Sequence, residues 1–232
     1  MASDVIGLGK TAEAVEASTR EVRELFCLFL KPAVSEIGMW LGDRVYIARE
    51  RSLGKVLARA KADLDSAGIE IKPVQARVFL PLANACSLEE EEEMITRWSN
   101  LLVGAVCGNP LLPSYVHLLS ELSPEQARIL DSIHTLQTDI GVQKLPEFPV
   151  MAVEMGHLRS ISKLPQDTFG RIMENLSRLN LIRRRYPEET FTQSVYEFSG
   201  YDPYFVGTTE FADDFLIACN RPLTSRKVDS LG

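Results

Sequence analysis

Three histidines, four cysteines, five consecutive glutamates and a Gly-Lys-Thr string are the residues of this 232-residue chain whose types could support chemistry. Gly9-Lys10-Thr11 has the ending of a phosphate-binding loop, in which backbone N–H groups cradle phosphate and a lysine reaches its outer oxygens. That loop needs a second glycine five residues before Gly9, where Asp4 stands, and a preceding strand for which there is too little chain. A frayed helix start accounts for the string. Glu89 to Glu93 is dense enough in carboxylates for a cation, but consecutive helical residues point around the helix and do not converge on one ion. At a helix N-terminus the same charge complements the helix dipole. His117, His134 and His157 stand apart, with no nucleophile or paired carboxylate at motif spacing, and His117 with Glu121 can form a helical pair. Cys27, Cys86, Cys107 and Cys219 lack the close spacing of a zinc site, and each lies in or beside an apolar run, as reduced core or boundary thiols do. These residues predict no catalytic constellation, no metal and no cofactor, although spacing does not address a site assembled from distant positions.

Two basic surfaces remain. At 100° per residue Arg44, Arg51, Lys55 and Arg59 lie within about 60° of each other on a helix, opposite Tyr46, Leu53, Val56, Leu57, Ala60 and Leu64. Such a stripe is commonly a solvated face; it could also meet anionic lipid, nucleic acid or an acidic surface, including the Glu89 helix of the same molecule. The second runs from Arg159 to Arg185, with seven basic residues against Asp167 and Glu174. Its candidate surface is Arg171, Arg178, Arg183, Arg184 and Arg185. On the helix, Asp167, Arg171, Glu174 and Arg178 share one face and cancel. On the strand that follows, alternation sends Arg183 and Arg185 one way and Arg184 the other, and predicts an exposed or acid-paired patch of Arg183 and Arg185 with Arg178.

Length allows one large domain or two small ones, and the 45% hydrophobic content is ordinary for a chain that buries a core. Residues 1–120 carry 13 basic and 16 acidic side chains, and residues 121–232 carry 12 and 16. Neither half is a bulk polyanion binder. The longest uninterrupted apolar run, Leu25 to Leu30, is far short of the roughly 20 residues a membrane helix needs. The start, MASDVIGLGK, is not a secretory signal, because no basic region leads into an apolar stretch. A cytoplasmic protein is expected.

The elements that must position these residues are mostly helical. Val15, Val22, Phe26, Phe29, Ala33, Ile37 and Trp40 follow a near-heptad stripe that Pro32 bends; the spacing suits a coiled coil, but its shortness favours packing within the chain. A helix from about Asp43 to Ala67 closes at Gly68. Pro73 to Leu82 reads as an irregular or short helical bridge. Ser87 with Glu90 forms a capping box, and Ser123-Pro124-Glu125-Gln126 places proline at a first helical position. Between these two starts Met94, Trp98, Leu101, Leu102 and Ala105 share an apolar face, with Trp98 as its structural anchor. Gln137 to Pro149 is a loop. A helix near Met155 comes next. Phe169, Ile172, Met173, Leu176 and Leu179 make a second helical face, Asn180 supplies a left-handed cap, and Leu181 to Tyr186 reads as a strand. A loop with Glu188, Glu189, Glu197 and Asp202 leads to a second strand at Tyr204 to Val206 and a helix from about Thr209 to Cys219. This order, with the Leu179-Asn180-Leu181-Ile182 turn, resembles a winged helix.

The segment PLANACSLEEEEEMITRWSNLLVGAVCGNPLLPSYVHLLSELSPEQARIL, taken with Lys31-Pro32, Glu36-Ile37-Gly38, Asp43-Arg44-Val45-Tyr46 and Arg49, resembles the abortive infection alpha family, a bacterial group of unknown function. The resemblance runs from about Lys31 to Leu130. Its most specific parts are the Ser-Leu-Glu-rich run into Trp98-Ser99-Asn100-Leu101-Leu102 and the stretch from Pro113-Ser114-Tyr115 to Leu122-Ser123-Pro124. It implies a context of defence against bacteriophage and brings no catalytic residues.

The expectation is a mainly α chain: an all-helical region over 1–120, a winged-helix-like region with a small β-hairpin over 121–220, and a mobile tail over 221–232. The leading functional expectation is a non-enzymatic phage-defence protein that recognises a host or phage protein. A nucleic-acid-binding regulator comes second and a peripheral membrane effector third. Oligomeric state is not legible.

Overall fold

The computed structural model describes residues 20–30, 46–109, 112–139, 153–185 and 205–220. The chain divides into two units, Met1–Glu121 with Ala218–Gly232, and Leu122–Ile217.

In the first unit a helix over 20–29 (α1) is followed by α2 (Tyr46–Ser66), α3 (Ala76–Cys86), α4 (Glu92–Val106) and α5 (Pro113–Glu121). Leu53, Val56, Leu57, Ala60 and Leu64 of α2 are buried, as are Met94, Trp98, Leu101 and Leu102 of α4. Both are the faces expected from periodicity, and α2 and α4 pack on each other. Phe79 of α3 meets Phe26 edge-on at 4.9 Å and stacks parallel to Phe29 at 6.4 Å. These geometries suit the ring quadrupoles. A Cβ added at Gly54 would lie 2.7 Å from Val22 Cγ2, so glycine permits the close approach of α1 to α2. Gly68, at φ +67°, closes α2 as expected, and the Ile69 N–H reaches back to the Leu64 carbonyl at 2.9 Å.

Of the two readings of Pro73 to Leu82, irregular or short helical, the helical one holds, and α3 runs on through Pro81 to Cys86, past the expected end. One expectation fails with it. Ser87 then ends that helix instead of starting the next: its N–H donates to the Ala83 carbonyl at 3.2 Å and its hydroxyl to the Asn84 carbonyl at 2.7 Å. With its side chain committed backwards, Ser87 does not cap α4, whose first turn begins after Glu91.

The second unit contains α6 (Pro124–Asp139), β1 (Val153–Glu154), α7 (Met155–Ser162), α8 (Gln166–Arg178), β2 (Ile182–Arg185), β3 (Phe205–Thr208) and most of α9 (Glu210–Asn220). The Ser123 start holds: Gln126 N–H donates to Ser123 Oγ at 3.3 Å, and Ser123 N–H donates to Gln126 Oε1 at 3.0 Å. The Gln137–Pro149 loop begins later than expected, because α6 continues through Gln137 to Asp139. Phe169, Ile172, Met173 and Leu176 are buried, and Asn180 takes φ +56°. The expected hairpin is instead a three-stranded antiparallel sheet of order β1-β3-β2, with Val153 opposite Val206 and Arg184 opposite Val206 on the other side. Thr209 caps α9, accepting from the Ala212 N–H at 3.1 Å. The Pro32 bend, Trp40, Arg44, Tyr186, Tyr204 and the tail beyond Arg221 lie outside the described residues.

Candidate functional site

On α2 the basic stripe turns toward its own molecule. Lys55 Nζ is hydrogen-bonded and ion-paired to Glu92 Oε1. Arg59 Nη1 donates to Thr96 Oγ1 at 2.8 Å and lies 3.8 Å from Glu92 Oε2. The hydrogen bond from Lys55 holds the Glu92 carboxyl below the usual carboxylate range, with the charges of Lys55 and Arg59 adding to it. Arg51 is exposed and has no ion pair among the described residues, and Arg44 lies outside them. The acidic run is likewise divided. Glu89 accepts from the Glu90 and Glu91 N–H groups at 3.1 Å each, Glu92 meets Lys55, and Glu93 accepts from Arg97 at 3.1 Å. Among the described residues no group of three His, Cys, Asp or Glu side chains converges as a metal site would.

Beside the Trp98 ridge, α4 carries a polar face that periodicity of apolar residues does not reveal. Glu93, Arg97 and Asn100 recur at steps of four and three, and all belong to the first unit with the last turn of α9. Arg97 is buried; its Nη1 donates to Asn220 Oδ1 at 2.8 Å, and Asn100 Nδ2 donates to the Cys219 carbonyl at 2.7 Å. Trp98 is 1% exposed, and its Nε1 has no hydrogen-bond partner among the described residues. The bonds of Arg97 and Asn100 to the end of α9 give this seam a structural role.

In the second unit His134 Nδ1 lies 2.9 Å from Asp213 Oδ1, which also accepts from the Thr208 hydroxyl at 2.5 Å. Gln137 Oε1 takes the Thr208 N–H at 2.9 Å. The carboxylate stands between imidazole and hydroxyl, so the histidine has no direct route to the hydroxyl proton, as an activated nucleophile would require. His117 pairs with Glu121 at 2.7 Å, as its spacing suggests. Burial pushes the Cys86 thiol far above its ordinary range and raises that of half-buried Cys107, so neither is a ready nucleophile.

Arg171, Arg178, Arg183 and Arg184 are all exposed. Arg178 Nε donates to Asn175 Oδ1 at 3.0 Å. Arg183 and Arg184 have no ion pair among the described residues. Arg183 and Arg184, successive residues of β2, both reach solvent, and of the three β2 side chains described Ile182 is the buried one. The Arg185 side chain lies outside the described residues. Glu174 and Ser177 from α8, Asn180 from the turn, and Ile182, Arg183 and Arg184 from β2 line an open groove of about 550 Å³. Sequence spacing marks the arginines but not the groove, which depends on where α8 delivers β2.

Among the described residues no helix is long and apolar enough to cross a membrane. No curated protein and no solved structure matches the chain. The family model described as abortive infection alpha matches residues 48–219, most of the chain; it starts after residues 31–47 of the segment that carries the sequence resemblance and runs on well past Leu130, and the chain therefore belongs to the abortive infection alpha family.

Proposed function

We propose that this protein is a non-enzymatic phage-defence protein that acts by recognising another macromolecule, most directly a protein, through a winged-helix unit spanning α6 to β3. The element order α6-β1-α7-α8-β2-β3, the sheet order β1-β3-β2 and the left-handed Asn180 between α8 and β2 support the winged-helix reading. The observation that carries the recognition role is the pair of exposed arginines, Arg183 and Arg184, beside a groove and without an ion pair among the described residues. Unpaired cations at a concave surface are groups held ready for a charged partner. The commitment of Lys55 and Arg59 to α4 weakens the membrane alternative. The His134–Asp213–Thr208 arrangement supports a non-enzymatic reading, since it joins α6, β3 and α9 without presenting a nucleophile.

The nucleic-acid reading draws on the same arginines, but Asp167 and Glu174 stand among them on α8. The test is phage plating on bacteria that express the protein. Protection should fall in an Arg183→Ala/Arg184→Ala double variant whose abundance and circular dichroism match the parent, and persist in Arg51→Ala. A double variant that protects as well as the parent sinks the proposal.

A further inference from the structure

The edge of the sheet at β2 offers backbone as well as charge. The Leu181 carbonyl accepts from the Thr209 N–H at 3.1 Å, and the Thr208 N–H is taken by Gln137 at 2.9 Å. Antiparallel pairs alternate between those that exchange backbone hydrogen bonds and those that do not. With Ile182 opposite Thr208, Arg183 opposite Gly207 and Arg184 opposite Val206, the contact at Leu181 makes Arg183–Gly207 an exchanging pair. Ile182 and Arg184 therefore turn their N–H and C=O groups away from β3, toward the side where β2 has no neighbouring strand among the described residues. That side is bordered by Glu174 and Ser177 of α8 and by Asn180, the walls of the groove.

We infer that this groove binds an extended acidic segment of a partner protein, which adds to β2 as a fourth strand and pairs its carboxylates with Arg183 and Arg184. The inference deepens the recognition role proposed above and rests on it. Strand addition supplies affinity through main-chain hydrogen bonds and specificity through alternate side chains. Charge selects the occupant. A second copy of the chain pairing edge to edge would set Ile-Arg-Arg-Arg against itself, and like charges directly opposite on neighbouring strands repel. A nucleic acid strand would bring phosphates to the outward carbonyls of Ile182 and Arg184 and to Glu174, all of them acceptors, while leaving the outward N–H groups with no ordered ladder to join. A peptide strand satisfies donors and acceptors together. Successive residues of β2 face opposite sides, so carboxylates at adjacent positions of the incoming strand meet Arg183 on one side and Arg184 on the other.

The test selects random dodecapeptides on the full-length protein by display and follows the synthesised winners by anisotropy and amide hydrogen exchange. Selected peptides should be acidic, with carboxylates at adjacent positions flanked by β-branched residues. Their binding should protect the Ile182 and Arg184 amides and leave Arg183, already bonded to β3, unchanged. Arg183→Glu/Arg184→Glu should weaken them by about tenfold or more while preserving circular dichroism. Winners without acidic bias, or winners that leave both edge amides exchanging as before, overturn the inference. So does a duplex DNA probe that protects the same residues and is lost in the charge-reversed variant. If no peptide engages the edge but Arg183→Ala/Arg184→Ala still abolishes phage protection, the recognition role stands and the peptide inference alone fails.

Discussion

Arg97 Nη1 donates to Asn220 Oδ1 at 2.8 Å, joining residues 123 positions apart within the first unit. The guanidinium is buried and also meets Glu93, so truncating it removes a charge-assisted hydrogen bond and strands its acceptors. Arg97→Ala should destabilise by about 2 kcal/mol and Asn220→Ala by about 1 kcal/mol. Because the two share one interaction, the double variant should cost less than the sum of the singles. Urea denaturation of the four proteins completes the cycle. Strict additivity would mean that the contact contributes nothing of its own.

Acid should loosen the α2–α4 contact from its surface. Glu92 has a folded-state pKa below its ordinary value of 4.5, chiefly through the Lys55 hydrogen bond. A depressed carboxyl stabilises the fold above its unfolded pKa, and that stability disappears as pH falls through the folded value. The expected window therefore lies below pH 4.5. Exposure of the Glu92 side chain keeps the energetic effect small. Carboxyl NMR should show Glu92 titrating below the ordinary glutamate value, and Lys55→Met should move it back up. A Glu92 midpoint unchanged by Lys55→Met contradicts the assignment.

Ser123 and Ser87 show what the sequence could and could not reveal. Both begin a Ser-x-x-Glu/Gln string, but only Ser123 exchanges hydrogen bonds with the residue three positions on. Ser123→Ala should therefore cost about 1 kcal/mol, and Ser87→Ala should not disturb the start of α4. Thermal unfolding with backbone amide shifts at residues 88–95 distinguishes the two. Ser87 misled because the deciding fact, that α3 continues through Pro81 to its doorstep, depends on packing of Phe79 and Leu82 and not on local pattern.

The same reasoning separates the rest. The apolar faces around Leu57, Trp98 and Met173 were legible because burial repeats with the helical period. The αL turn at Asn180 was legible because few residues accept that conformation. Strand β1 was not, since two residues carry no periodicity and Val153 becomes a strand only by pairing with Val206. The glutamate-rich helix was among the surfaces the stripe of Lys55 could meet, whereas the partner of Arg97 was hidden, since Asn220 is 123 residues away. The arginines of the groove were visible in sequence, whereas the open edge beside them follows from strand order alone.

Duplex DNA provides the sharpest discrimination between the protein and nucleic-acid readings of the second unit. Asp167, Arg171, Glu174 and Arg178 are all exposed, and helical geometry places them on one face of α8, where their charges cancel. The sequence between β2 and β3 adds four more acids, Glu188, Glu189, Glu197 and Asp202. Against these, Arg183 and Arg184 supply two exposed cations, too few for the steep salt dependence of a protein that neutralises many phosphates. Binding to duplex DNA at about 150 mM salt should therefore be no tighter than the non-specific range of roughly 10⁻⁴ to 10⁻⁶ M. The Arg183→Ala/Arg184→Ala variant should leave that weak binding little changed. Anisotropy with a labelled duplex at two salt concentrations measures both quantities. Submicromolar, salt-sensitive binding that disappears in the double variant would make the protein a nucleic-acid-binding regulator, with Arg183 and Arg184 on its phosphate contacts.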